Sequence, residues 1–171
     1  DPARRGQGVV RPALGTFAHE AAAIDPDSGA TYLTEDRPDG RLYRFVPDRA
    51  EDLSSGSLFA AATSRDPAGM RPGDTADVTW LPTSATEPDR SPLTAVFAGG
   101  EGIWIDRGRM LFTTKSDKRV WAFDLVTSTL SVLHDCVRTP NTPLDAVDSV
   151  VVHPATGDVF VAEDGGIGRS Y

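Results

Sequence analysis

Residues 23–36 (AIDPDSGATYLTED) align without a gap on residues 151–164 (VVHPATGDVFVAED), 128 positions further along the chain. A looser copy, 104–117 (WIDRGRMLFTTKSD), is one residue shorter at its turn, and its Gly108 lies 79 positions after Gly29 and 49 before Gly157. A chain that repeats itself in this way must build one supersecondary unit several times and stack the copies to bury their apolar faces. A unit of roughly 40–50 residues made of four antiparallel strands is the signature of a β-propeller blade.

The local pattern agrees with strands throughout. Runs of alternating or β-rich character occur at 20–24, 30–35, 41–46, 57–62, 77–81, 102–105, 109–114, 119–124, 129–134, 148–153 and 158–163. Gly and Pro make up 29 of the 171 residues and interrupt every run that would suit a long helix. Asp-Ser-Gly at 27–29, Arg-Pro-Asp-Gly at 37–40, Asp-Arg-Gly at 106–108 and Ala-Thr-Gly at 155–157 supply turn residues between the strands. The expected fold is therefore all-β and β-propeller-like, with about two to three four-stranded antiparallel blades. The units fall at roughly 15–62, 77–135 and 147–171, with loops at 63–76 and 82–92. The third unit stops at Tyr171 after two strands, too few to close a ring, so a fragment is expected, or a chain that needs the remaining blades or other chains.

Charge and composition narrow the function. The formal net charge of −8 argues against a phosphate-backbone partner, because nucleic-acid binders present basic surfaces. No apolar run approaches the ~18 residues that a membrane span requires, and the start of the chain shows no targeting segment. The single Cys136 excludes an intrachain disulfide and a thiolate cluster, and three histidines argue against a Cys/His zinc site.

What remains is carboxylate chemistry. Glu20, Glu101 and Asp148 stand at the starts of the three inner strands, and Glu35-Asp36, Lys115-Ser116-Asp117 and Glu163-Asp164 at the ends of the strands that return beside them. In a blade both sets lie on one rim. Acidic side chains crowded there repel unless a cation neutralises them. Oxygen ligands without thiolate or imidazole suit hard cations, Ca²⁺ first, then Mg²⁺, Mn²⁺ or Fe³⁺. Any single pair, taken alone, reads as an ordinary solvated turn residue. Recurrence at the start of an apolar strand sets the trio apart. Trp80, Trp104 and Trp121 read as packing residues, His134-Asp135-Cys136 lacks a third group to orient a base, and the Gly-Gly pairs lack the Lys-Ser/Thr of a phosphate loop.

Three strings carry a family likeness: GTFAHEAAAIDPDSGATYLTEDRPDGRLYRFVPDR (15–49), GGEGIWIDRGRMLFTTKSDKRVWAFD (99–124) and VDSVVVHPATGDVFVAEDGG (147–166). Together they resemble the PhoX-type alkaline phosphatases of the actinobacterial branch. The resemblance implies a β-propeller carrying calcium and iron at one end of its channel, and hydrolysis of small phosphate esters outside the cytoplasm. It puts Glu20, Glu101 and Asp148 on metal-bridging positions, with Glu35, Asp36, Glu163 and Asp164 as further ligands or supports. His19 and Arg37 become candidates for holding substrate or supporting the ligands. The chain departs from that pattern where Gly99 replaces a phosphate-gripping Arg, where Ser149 replaces an Asn, at 167–171, and in lacking an upstream iron-binding Cys. Two other readings share the architecture: a calcium-dependent lactonase-type or esterase-type hydrolase, and a non-catalytic binding or assembly segment.

Overall fold

The repeated strand–turn–strand sequences fold into repeated hairpins. In the computed structural model, which describes residues 8–164, the turn glycines Gly29, Gly108 and Gly157 all take left-handed backbone, with φ of 71°, 74° and 78°. Only glycine enters that region without cost, which is why the repeat keeps it. The same two hydrogen bonds close the first and last turns. Asp25 N–H donates to Ala30 O and Gly29 N–H to Asp25 O, as His153 N–H does to Asp158 O and Gly157 N–H to His153 O.

The described chain is all-β, with strands β1 (His19–Ile24), β2 (Thr31–Glu35), β3 (Leu42–Pro47), β4 (Gly56–Thr63), β5 (Thr75–Thr83), β6 (Gly100–Asp106), β7 (Arg109–Thr114), β8 (Arg119–Asp124), β9 (Thr129–Asp135), β10 (Val147–Val152) and β11 (Val159–Glu163). The only helical elements among the described residues are two three-residue 3-10 turns, so no helix there is long and apolar enough to cross a membrane. Strands β1–β4 form one antiparallel meander and β6–β9 another, while β10 and β11 pair separately.

The division into blades expected from the sequence is not plainly met. Strand β5 pairs with β9 through Thr75–Asp77 and with β4 through Val78–Thr83. Nine residues are enough to serve two partners in succession, and the result is one antiparallel sheet of nine strands. Its two end strands, β1 and β6, come to lie against each other, so the sheet nearly closes on itself.

Alternation along the strands sorts side chains into stacked layers. Phe112 of β7 and Trp121 of β8 point into the core shared by the two meanders, where they meet Phe97, Tyr32 and Leu42. Phe97 lies edge-on to both rings, 5.3 Å from Phe112 and 5.6 Å from Trp121 between centroids. Such edge contacts add about 0.5–1.5 kcal/mol each to the burial itself. The neighbouring residues Leu111 and Ala122 face the other way and bury Val150 and Val152 of β10. On the opposite flank, Leu33, Tyr43 and Phe45 are covered by Ala13, Leu14 and Phe17 from the segment before β1.

Two positions show how tightly the layers are joined. Gly102 leaves no room for a side chain, since a Cβ there would stand 2.6 Å from Ser149 Cα and 2.7 Å from Val150 N. Backbone cannot yield as a flexible side chain can. Asp135, fully buried at the end of β9, accepts from Arg119 Nε at 3.1 Å, from Arg138 Nη1 at 2.8 Å and from two backbone N–H groups. Burial pushes its carboxyl up, but the Arg138 and Arg119 contacts outweigh burial and hold it below the ordinary carboxylate value.

Two outcomes follow from these contacts. Gly102→Ala is expected to lift β10–β11 off β6, lowering the denaturation midpoint and exposing residues after about 140 to limited proteolysis; unchanged protection would overturn that account. Because the folded Asp135 titrates below its unfolded value near 3.9, its contribution is present above that pH and is lost as pH falls through the lowered folded value. Asp135→Asn should cost about 3 kcal/mol at pH 7, by removing the buried charge that faces both Arg119 and Arg138 and leaving Arg119 only the longer contact to Asp117 at 3.3 Å, and should flatten the acid limb of an equilibrium stability profile.

Candidate functional site

The three strand starts singled out by the sequence share one local geometry. The pairs His19–Glu35, Gly100–Thr114 and Val147–Glu163 open the three hairpins, and in each the register slips before the next paired residue, at Ala22, Ile103 and Val150. Glu20, Glu101 and Asp148 sit inside these three irregularities. A bulge of this kind bends the strand and re-aims the side chain it carries. The residue after each second strand ties back identically: Asp36 N–H donates to Ala18 O at 2.9 Å, Lys115 N–H to Gly99 O at 2.7 Å and Asp164 N–H to Ala146 O at 3.0 Å. Strand start and strand end are thereby held on one edge of each hairpin.

Consecutive units are also clamped together at this edge. Thr34 Oγ1 donates to the carbonyl of Glu101 at 2.5 Å, and the equivalent Thr113 hydroxyl donates to the carbonyl of Asp148. Both hydroxyls come from buried residues. Each fixes the backbone that carries the next unit's carboxylate.

The predicted residues meet different fates. Glu101 is only 4% exposed, and its Oε1 lies 2.5 Å from Lys115 Nζ, which also donates to Asp36 Oδ2 at 2.8 Å. Burial pushes the Glu101 carboxyl up, Lys115 pulls it down, and the negative charges of Glu20 and Asp36 add to the net rise. The same two carboxylates, Asp36 and Glu101, push the Lys115 ammonium up. Glu20 is exposed on that edge. Asp148 is half-buried, with its backbone against Gly102, one residue from Glu101.

Glu35 points elsewhere. It is fully buried and accepts from Arg41 N–H at 3.0 Å, from the Tyr43 hydroxyl at 3.1 Å and from the Arg90 guanidinium. Glu163 caps the backbone N–H groups of Asp145 and Ala146, and Asp164 is exposed. His19 stacks on Phe17 with centroids 3.7 Å apart and bonds Gly15 O through Nε2 at 3.0 Å. Arg37 pairs with Asp39 at 3.0 Å and lines a cleft of about 640 Å³ with Phe17, Thr86 and Arg90. Among the described residues, no three of His, Cys, Asp and Glu converge closely enough to hold a metal ion by themselves.

Several structuring residues lay outside the sequence reading. Arg41 and Arg119, both buried, bind backbone carbonyls of loops, Arg41 those of Asp39 and Arg90 and Arg119 those of Pro67 and Ala68. Two residues further along each strand, the Tyr43 hydroxyl donates to Glu35, and Trp121 Nε1 donates to Thr114 Oγ1 at 2.8 Å. The signal for these was present as a second repeat, Arg-Leu-Tyr-Arg-Phe at 41–45 and Arg-Val-Trp-Ala-Phe at 119–123. Arg90 carried no such signal, since it reaches Glu35 from the aperiodic 82–92 loop.

Comparison with known proteins gives one match. No curated protein and no solved structure matches the chain significantly. The sequence profile described as alkaline phosphatase PhoX matches residues 1–120, a span that includes β1–β7, with the bulge carboxylates Glu20 and Glu101. With more than two thirds of its length under that profile, the chain belongs to the alkaline phosphatase PhoX family.

Proposed function

We propose that this chain carries part of the site of a metal-dependent phosphomonoester hydrolase, in which Glu20, Glu101 and Asp148 offer carboxylates to hard cations, calcium foremost and iron with it. The observation that carries the reading is the recurrence of one acidic residue in the same bulge of three successive hairpins, in a chain of the PhoX family. The donor set fits such ions in kind, being all carboxylate oxygen. It also fits in charge, since the buried Glu101 carboxylate already takes a cationic group, the Lys115 ammonium, at 2.5 Å.

A cation held there would draw charge from the phosphoryl oxygens and activate the attacking oxygen. The protein's own part is placement. Thr34 and Thr113 hold the backbone of Glu101 and Asp148, and Gly102 lets the strands that bear them approach to contact. Glu35 and Glu163 serve this reading as supports, their oxygens committed to protein donors. Asp36 lies beside Glu101 and joins the ligand side, and the exposed Asp164 is its counterpart on the third hairpin. Arg37 and His19 border the acidic edge and stand as the groups to meet a phosphate ester.

A β-propeller frame accommodates this arrangement. The first strands β1, β6 and β10 lie side by side in chain order, and the layers stack in the same order. On this reading further blades, or other chains, complete the ring, and the protein works outside the cytoplasm, as the family likeness implies.

Calcium at about 100 times its dissociation constant should raise stability by about 2.7 kcal/mol relative to EDTA, read as a shift in thermal midpoint. Equal midpoints would sink the metal reading. Hydrolysis of p-nitrophenyl phosphate by the calcium- and iron-loaded protein should fall by about 10²-fold or more in Glu101→Gln, as expected for loss of a charge-stabilising group. Thr113→Val, which leaves the Asp148 carbonyl without its donor, should cost about 1–3 kcal/mol of stability and weaken calcium binding with it.

A further inference from the structure

The residue that follows the second strand is Asp36 in the first hairpin and Asp164 in the third, each closing its turn with the same backbone bond. In the middle hairpin that position is Lys115. The exception has a geometric consequence. The Lys115 ammonium reaches back across the edge to the equivalent Asp36 of the first hairpin and to Glu101 in the bulge of its own, at 2.8 and 2.5 Å. Its stem is packed in place. Gly99, at φ 68°, leaves the volume that Lys115 Cγ and Ser116 Oγ occupy, 2.9 and 2.6 Å from where a Cβ would be.

A calcium ion takes carboxylate oxygens at about 2.3–2.6 Å. The ammonium already stands at that distance from Glu101 Oε1, so an ion entering beside it would meet a like charge almost at contact, poorly screened next to a buried carboxylate. Glu101 is almost wholly removed from water, which makes some positive partner necessary whenever it is ionised. Lys115 is half exposed at its head and can swing to solvent once another cation replaces it.

We propose that Lys115 is a tethered counter-cation that occupies the Glu101–Asp36 end of the site in the metal-free protein and must be displaced for a divalent cation to bind there. The inference rests on the metal reading of this rim and adds its regulation. The tether lowers the apparent affinity for metal, because an ion must first break two charge-assisted contacts, and it keeps the acidic edge folded until metal arrives.

The chain contains two lysines, Lys115 and Lys118, and Lys118 is engaged with Asp145 at 2.6 Å. Amine labelling of the unaltered full chain, read by mass spectrometry with Lys118 as the internal reference, should therefore rise several-fold at Lys115 when calcium chloride is added. In parallel, isothermal titration with calcium should show Lys115→Met binding at least about tenfold tighter than wild type, since one of the two contacts alone is worth about that much. The methionine keeps the stem over Gly99. Should that variant fail to fold, the labelling of wild type decides alone. Calcium bound equally by both proteins, with Lys115 labelling unmoved, would overturn the displacement while leaving the metal reading intact. Absence of calcium binding in wild type and variant alike would overturn both.

Discussion

One buried hydroxyl per junction joins this structure from unit to unit. Thr34 and Thr113 stand at the same place in the second strand of their hairpins, and each donates to the carbonyl of the acidic residue in the next hairpin's bulge. A bulge leaves a backbone group without its ladder partner, and a buried carbonyl without a donor costs about 1–3 kcal/mol. The threonine removes that cost and sets the spacing between layers in the same contact. The backbone of Glu101 and of Asp148 is held at the acidic edge by this junction.

The buried carboxylates divide according to what neutralises them. Glu35 and Asp135 are fully buried and are answered by arginines, whose planar donors saturate both oxygens along with backbone and phenol groups. These are elements of the fold. Glu101 is nearly as far removed from water but is answered by one lysine, shared with Asp36. A guanidinium held through several of its N–H groups at once, as Arg119 is, is more firmly fixed than an ammonium whose side chain is nearly half exposed. The contrast lies between carboxylates held by the fold and one whose counter-charge is partly exposed to water.

Every strand run visible in the sequence became a strand, and for a clear reason. The runs are short, bounded by Gly, Pro and Asp turns, and repeat at a spacing that allows one solution per unit. The opposition of strand starts and strand ends was legible for the same reason, since a tight hairpin turn fixes its register. Beyond the hairpin legibility falls off. The 77–81 run reads as a strand of one unit with loops on either side, yet the strand it belongs to extends over Thr75–Thr83, divides between β4 and β9 and makes the two meanders one sheet. Nothing local in its sequence distinguishes a strand with one partner from a strand with two.

The same limit applied to the acidic edge. Composition and spacing identified Glu20, Glu101, Asp148 and the second-strand pairs Glu35-Asp36 and Glu163-Asp164 as one set, because charge type and periodic position are properties of the chain itself. Their different surroundings came from tertiary contacts, some made across 50 or more residues, such as Arg90 with Glu35 or Lys115 with Asp36. The sequence by itself determined the all-β hairpins, their glycine turns and the acidic residue in each first strand. Only the tertiary structure decided which carboxylate is buried beside which cation, since an ion pair depends on where two distant segments meet and not on the residues flanking either one.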